Sequence, residues 1–403
     1  MTGPLSHVRV LDLSRVLAGP WAGQNLADLG AEVIKVERPG AGDDSRAFGP
    51  PWVKDGQGRD TKDSAYFTSA NRGKKSITVN IAAPQGQALV RELAATSDVL
   101  IENYKYGDLA RYSLGYDDLR EINPKLIYCS LTGFGHSGPY RERPGYDFMI
   151  QGMGGMMSVT GEPDAGPQRA GVPVADIITG MYASIAICAA LAHRAQTGAG
   201  QHLDLALLDS QIALLAYQNT NYLATGVPPK RIGNLHPNIV PYQPFRTSDG
   251  DVIIACGNDN LYRKFCVAAG CSELADDARF ATNGKRVENR TELTRLLAEV
   301  FRRRSTREWL ELLDAAGVPN GPINDLAQVF EEPQVKARGV RIELKHAAGA
   351  MVPMVASPMR FSATPLEYRQ APPLLGEHTE EVLRGLLGKS EAQIAALRAE
   401  QVI

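Results

Sequence analysis

The sequence predicts an α/β fold: a large domain built on a Rossmann-like parallel sheet, with a smaller α+β domain. Three observations predict it. Short apolar runs recur at residues 33–36, 76–79, 99–101 and 126–131, and each is bounded by polar or turn residues. Helix-compatible stretches lie between several of these runs, which is the alternation of a parallel sheet covered on both faces. A hairpin pattern at residues 245–255, after a segment rich in Gly and Pro, opens a region patterned differently.

Val8, Val10, Leu11 and Leu13 make the first strand. Ala18-Gly19-Pro20 ends it and starts a helix, since Pro is tolerated in a first turn. Ala22, Leu26, Ala27 and Leu29 keep helical spacing, and Gly30 suits a C-cap. Residues 33–36 are the second strand, and a short crossover makes the pair parallel. The alternation continues with a strand at 76–79, a helix at 86–96, a strand at 99–101 and a strand at 126–131. A long buried helix follows at 177–196, then a strand from 202 to 206. Ligands of open parallel sheets bind outside the carboxyl ends of strands, so Glu102-Asn103-Tyr104 and the loop after Leu13 are the places to search. The expected divisions are a large domain at 1–220, a linker at 221–243, a small domain at 244–325 and a C-terminal part at 326–403.

The 403 residues are 44% hydrophobic and carry a net charge of −2. That charge argues against nucleic-acid or anionic-membrane partners bound through bulk electrostatics. By this reading no apolar run approaches the ~20 residues that span a bilayer. The N-terminus has no basic stretch followed by an apolar core, so no secretory signal is expected and the protein is placed in the cytoplasm. The five cysteines form no CxxC pair and read as reduced structural thiols, and the histidines offer no metal spacing.

The run from Leu11 through Pro20, followed by residues 26–44, resembles the class III CoA-transferases, the CaiB/BaiF family, which also contains α-methylacyl-CoA racemases. The likeness continues through Asn71-Arg72-Gly73-Lys74-Lys75-Ser76, Glu102-Asn103-Tyr104, Gly145-Tyr146-Asp147, Ala175-Asp176 and Gly317-Val318-Pro319 with Gly321-Pro322. The resemblance implies that the C-terminal part rejoins the large domain and that two chains interlock as a homodimer.

It also implies that Asp176 is the nucleophile. Read locally, an Asp before an apolar helix is an N-cap, and the two roles are compatible because a helix start favours negative charge. A carboxylate suits thioester chemistry: attack gives a mixed anhydride and CoA thiolate, and the thiolate then makes an aspartyl thioester. Such exchange needs no permanently bound cofactor and no metal, with the CoA thioester as substrate. Acyl-CoA and a carboxylic acid are the expected partners.

Three basic clusters near successive sheet elements suggest a CoA site: Arg38; Arg72, Lys74 and Lys75; and Arg111 beyond Asn103 and Tyr104. The resemblance places Arg38, Lys75, Asn103, Tyr104 and Arg111 there, with the backbone around Val16 and Ala18, and sets Arg15 and Leu17 beside the thioester. Formyl-CoA transferases carry glutamine where this chain has Leu17. The racemases carry a histidine base where it has Tyr146, and tyrosine accepts protons poorly at neutral pH. Asp147, Arg169 and His236 are candidates for holding the acceptor. Softer likenesses at residues 40–44, 239–242 and 332–335 point to succinyl-CoA-dependent dicarboxylate transferases of the hydroxymethylglutarate or glutarate type. A racemase, a formyl-CoA transferase-like enzyme and a non-catalytic acyl-CoA binder are the alternatives.

Overall fold

The computed structural model describes residues 3–403, which form two compact units. The first contains residues up to 156 together with 169–225 and 336–403. The second contains 157–168 and 226–335.

The first unit is built on six parallel strands: β1 (Arg9–Asp12), β2 (Glu32–Glu37), β3 (Lys74–Thr78), β4 (Val99–Glu102), β5 (Ile127–Thr132) and β6 (His202–Ala206). Their order is β3-β2-β1-β4-β5-β6. Neighbouring residues on each strand feed opposite faces. Val10, Val33, Val99, Ile101 and Ile127 join one buried cluster, while Leu11, Ile34, Leu100 and Tyr128 join the other. Both faces are therefore dry, which is why the strands read as unbroken apolar runs rather than alternating ones. Each fully buried leucine or valine contributes about 1.5–3 kcal/mol.

The strand order reverses between β1 and β4, and the carboxyl ends of those two strands therefore frame the crevice where such sheets take ligands. Helix α1 (Ala18–Asp28) follows β1, and α2 (Asp147–Met153) precedes the long α3 (Val174–Thr197). Ala22 and Leu26 of α1 and Ala183 and Ile187 of α3 cover the same face of the sheet. The C-terminal residues return to this unit: Thr78 N–H donates to Thr379 Oγ1 at 3.1 Å and Asn80 N–H to the Val402 carbonyl at 2.7 Å. A final helix, Glu391–Ala399, had no counterpart in the sequence reading.

The second unit has a three-stranded antiparallel sheet. The expected hairpin is Tyr242–Arg246 with Asp251–Ala255, and Asn320–Pro322 adds to its other edge. Phe301 stacks on Phe245 at 4.5 Å, and the buried Trp309 donates its indole N–H to the Phe301 carbonyl at 2.8 Å.

Two expectations need correction. The first residues of the expected linker at 221–243 belong to a helix, Tyr217–Thr225, because no Gly or Pro interrupts the chain before Gly226. The apolar run near 177–191 sits inside the 24-residue α3, which is long and apolar enough by length and composition to cross a bilayer. Thr179 and Ser184 do not stop it, since each hydroxyl returns to the carbonyl four residues back, at 2.6 and 2.9 Å.

Candidate active site

The loop after β1 is held from both sides of the crevice. Asn103, just past β4, accepts the Arg15 N–H at 2.8 Å and donates its amide to the Arg15 carbonyl at 2.6 Å. Val16 then turns into the left-handed region with φ at 69°, a costly conformation for a β-branched residue. Asp43 holds it there by accepting the Val16 N–H at 3.0 Å. Lys35 pairs with Asp43 at 2.8 Å, both fully buried, and also donates to the Ser14 carbonyl at 2.8 Å. Burial opposes the charge on Asp43, but the Lys35 ammonium and the Ser45 donors hold its carboxyl well below the usual range.

On the facing side, α3 starts beside this loop. A Cβ at Gly180 would lie 2.5 Å from the Ala18 carbonyl, so only glycine lets α3 cross α1 this closely. The helix begins at Val174 with Pro173 as N-cap, and no side chain of its own caps it. Asp147 does so from α2: its carboxylate accepts the Ala175 N–H at 2.9 Å and the Gln151 amide at 2.8 Å. Asp176 is therefore not the cap that the local reading suggested. It is the third helical residue, half-buried, with its carboxylate free of the capping duty. Burial, and then the neighbouring Asp147 charge, push its carboxyl up to about 7.

Two adjoining cavities open here. A chamber of about 210 Å³ brings together Asp176, Tyr146, Asn103 and Arg15 through Ala18, with Lys105, Arg141 and Arg143 on its wall. A cleft of about 230 Å³ is lined by Arg38, Arg111, Tyr112 and residues 79–82. Arg15, Tyr104 and Asp108 border both.

Most of the expected residues thus meet in one place, but several do not. Arg72 is buried in a bidentate pair with Asp28, at 2.8 and 2.6 Å. Lys74 is fully buried against Asp12, the Pro20 carbonyl and Asn71, each within 2.9 Å. Lys75 pairs with Glu32 and Glu381. All three lie at or before the amino end of β3, whereas the crevice is at the carboxyl ends, and none lines either cavity. Arg169 lines neither cavity and rests 5.9 Å over the Phe148 ring. His236 belongs to the second unit, where its Nδ1 accepts the Asn238 N–H at 3.1 Å and its ring packs on Tyr242. Beyond the hairpin, Gly257 leads into a helix, Asp259–Ala268, whose N-cap is Asn258.

The sequence reading passed over Lys35 and Asp43, which build the loop, and Arg141 and Arg143, which line the chamber. Lys35 sits inside an apolar strand, a placement a lysine takes only with a buried partner, and that was a usable signal. Arg141 and Arg143 flank Glu142 in a polar loop and look like any surface basic pair.

The family model described as CoA-transferase family III matches residues 5–379. The chain belongs to CoA-transferase family III. It is 51% identical to a succinate–glutarate CoA-transferase of Agrobacterium fabrum, over 95% of this chain and 96% of that protein. It is 44% identical to a human succinyl-CoA:glutarate CoA-transferase, over 99% of this chain and 90% of the relative. Among solved structures, a CaiB/BaiF family protein from Brucella suis superposes with a TM-score of 0.84 at 52% identity, covering 96% of this chain and all of that one. As a family III enzyme, this chain has CoA thioesters as its substrates.

Proposed function

We propose that this enzyme moves CoA from succinyl-CoA to glutarate through covalent intermediates on Asp176. The observation that carries the reading is Asp176 itself, a carboxylate free of capping duty, facing a chamber at the first turn of α3. The names of the relatives support the donor and acceptor.

The Asp176 carboxylate attacks the thioester carbonyl, and the C–S bond breaks to leave a succinyl–aspartyl anhydride and CoA thiolate. The thiolate attacks the aspartyl carbonyl, succinate departs, and CoA is held as an aspartyl thioester. Glutarate then attacks that thioester, releasing the thiolate, which takes the glutaryl group and restores the carboxylate. A thioester is exchanged for a thioester, so no outside energy is drawn. A carboxyl near 7 is basic for an aspartate, and so more nucleophilic than an exposed one while still ionised in good part at neutral pH. The α3 N–H groups favour the negative charge that forms at the aspartyl carbonyl.

Arg38, Arg111 and Tyr104 hold the CoA portion in the outer cleft, and Leu17 and Tyr146 border the acyl group. Asn103 acts by fixing the Arg15 backbone. The exposed Met181, Tyr182 and Ile185 on α3 are covered by a second copy of the chain in an interlocked homodimer. The enzyme works in the cytoplasm on free CoA thioesters.

Intact-protein mass spectrometry of enzyme mixed with succinyl-CoA, with hydroxylamine trapping, tests the mechanism. A CoA adduct is expected, absent in Asp176→Ala, with transfer lowered by at least about 10⁴-fold. An adduct that persists in the variant places the chemistry on another residue.

A further inference from the structure

Four cations reach the chamber that holds Asp176: Arg15, Lys105, Arg141 and Arg143. Two are already engaged. Arg15 pairs with Asp44 at 3.1 Å and lies 5.1 Å over the Tyr104 ring. Arg141 faces Glu142 at 3.5 Å and lies 5.0 Å over Tyr106. Arg143 has no ion pair and no side-chain hydrogen bond among the described residues. Its guanidinium instead lies over two rings, 4.5 Å from Tyr140 and 5.4 Å from Phe134. Stacking of that kind holds the plane of the fork while leaving its N–H donors open, the arrangement suited to a carboxylate. Lys105 is also unpaired among the described residues, but a lysine is a single hydrated point charge without the two-pronged geometry.

The backbone ties Arg143 to the nucleophile. Two residues on, Gly145 meets Gly133 so closely that a Cβ there would lie 2.3 Å from the Gly133 Cα. Tyr146 is then the N-cap of α2, and Asp147 caps the helix that carries Asp176. The open arginine and the reacting carboxylate are thus joined through one short stretch of fixed backbone.

We infer that Arg143 binds the distal carboxylate of the dicarboxylic acyl group and sets the preference for diacids over monoacids. The inference rests on the dicarboxylate reading given above. It also follows that one arginine serves both substrates. The succinyl and glutaryl groups occupy the same position in turn, each joined to the Asp176 oxygen in its anhydride. Their far carboxylates differ in reach by one methylene, which the flexible arginine stem absorbs. Neither Arg169, which lines no part of the chamber, nor Arg15, which is bound to Asp44, is needed for this contact.

The test is steady-state transfer from succinyl-CoA to glutarate and to butyrate, a monoacid lacking the far carboxylate, by wild type, Arg143→Ala and Arg143→Lys. A lost charged hydrogen-bonded contact predicts a fall of about 10- to 100-fold in the ratio of kcat/KM for glutarate over butyrate in Arg143→Ala. Arg143→Lys, which keeps the charge and loses the fork, is expected to fall between. The preference also lies in the acyl donor, so the ratio for glutaryl-CoA over butyryl-CoA falls in parallel. An unchanged ratio, or an equal loss for both acids in both variants, overturns the assignment while the transferase reading stands. Wild-type enzyme that moves no CoA to glutarate, or favours butyrate, overturns the dicarboxylate reading and this subsite with it.

Discussion

Two basic clusters look alike in the sequence and end in opposite circumstances. Arg111, beyond Asn103 and Tyr104, follows the carboxyl end of β4 and stands exposed on the cleft wall, where the half-buried Arg15 joins it from the carboxyl end of β1. Arg72 and Lys74 come before or at the start of β3 and are sealed against Asp28 and Asp12. Charge density does not separate the two groups, but strand direction does. Past the carboxyl ends of a parallel sheet the chain opens into a cleft. On the other side of these strands, cations are spent on holding the sheet to its helices.

The largest effect expected from this contrast is on stability. Arg72→Met strands the buried Asp28 carboxylate and should cost about 3–5 kcal/mol in denaturant unfolding at pH 8. Burial already raises the Asp28 carboxyl against the opposing pull of Arg72, so without the arginine it protonates more readily and the loss shrinks at pH 5. An equal loss at both pH values would show that lost packing, not the stranded charge, is responsible. Arg111→Ala should do the reverse. Arg111 itself is exposed to water and its partner Asp108 is only half-buried, so unfolding barely changes, while KM for the CoA thioester rises about tenfold at low salt and less at high salt. A salt-independent KM equal to wild type would remove Arg111 from the site.

The smallest effect is a displacement of the pH profile. In the proposed mechanism Asp176 attacks as the carboxylate, so kcat/KM is expected to rise with pH through about 7. The Asp147 charge opposes that ionisation, and Asp147→Asn removes the charge while keeping an oxygen for the Ala175 N–H. The acid limb should move to lower pH. A limb that stays in place belongs to another group.

The sheet was legible because both of its faces are buried, so strands such as Val99 to Ile101 stand out as short apolar runs between polar turns. The hairpin of the second unit was legible from its turn. The site was legible in a different way. Periodicity alone made Asp176 an N-cap, and only the resemblance pointed to a role in chemistry. The cap is Asp147, 28 residues before the Ala175 N–H that it accepts, a distance no local rule spans. The buried pairings of Arg72 and Lys74 were hidden for the same reason, since their acidic partners are 44 and 62 residues away. Arg143 was missed because a cation whose partners are rings from the same loop leaves no complementary charge to notice.

Asn103 grips the Arg15 peptide at both its N–H and its carbonyl, so the loops past β1 and β4 are riveted at the line where the sheet changes direction. The crevice floor cannot act as a hinge during turnover. Whatever movement admits a nucleotide-sized substrate and lets a free acid leave has to occur in the walls, over a seam that stays shut.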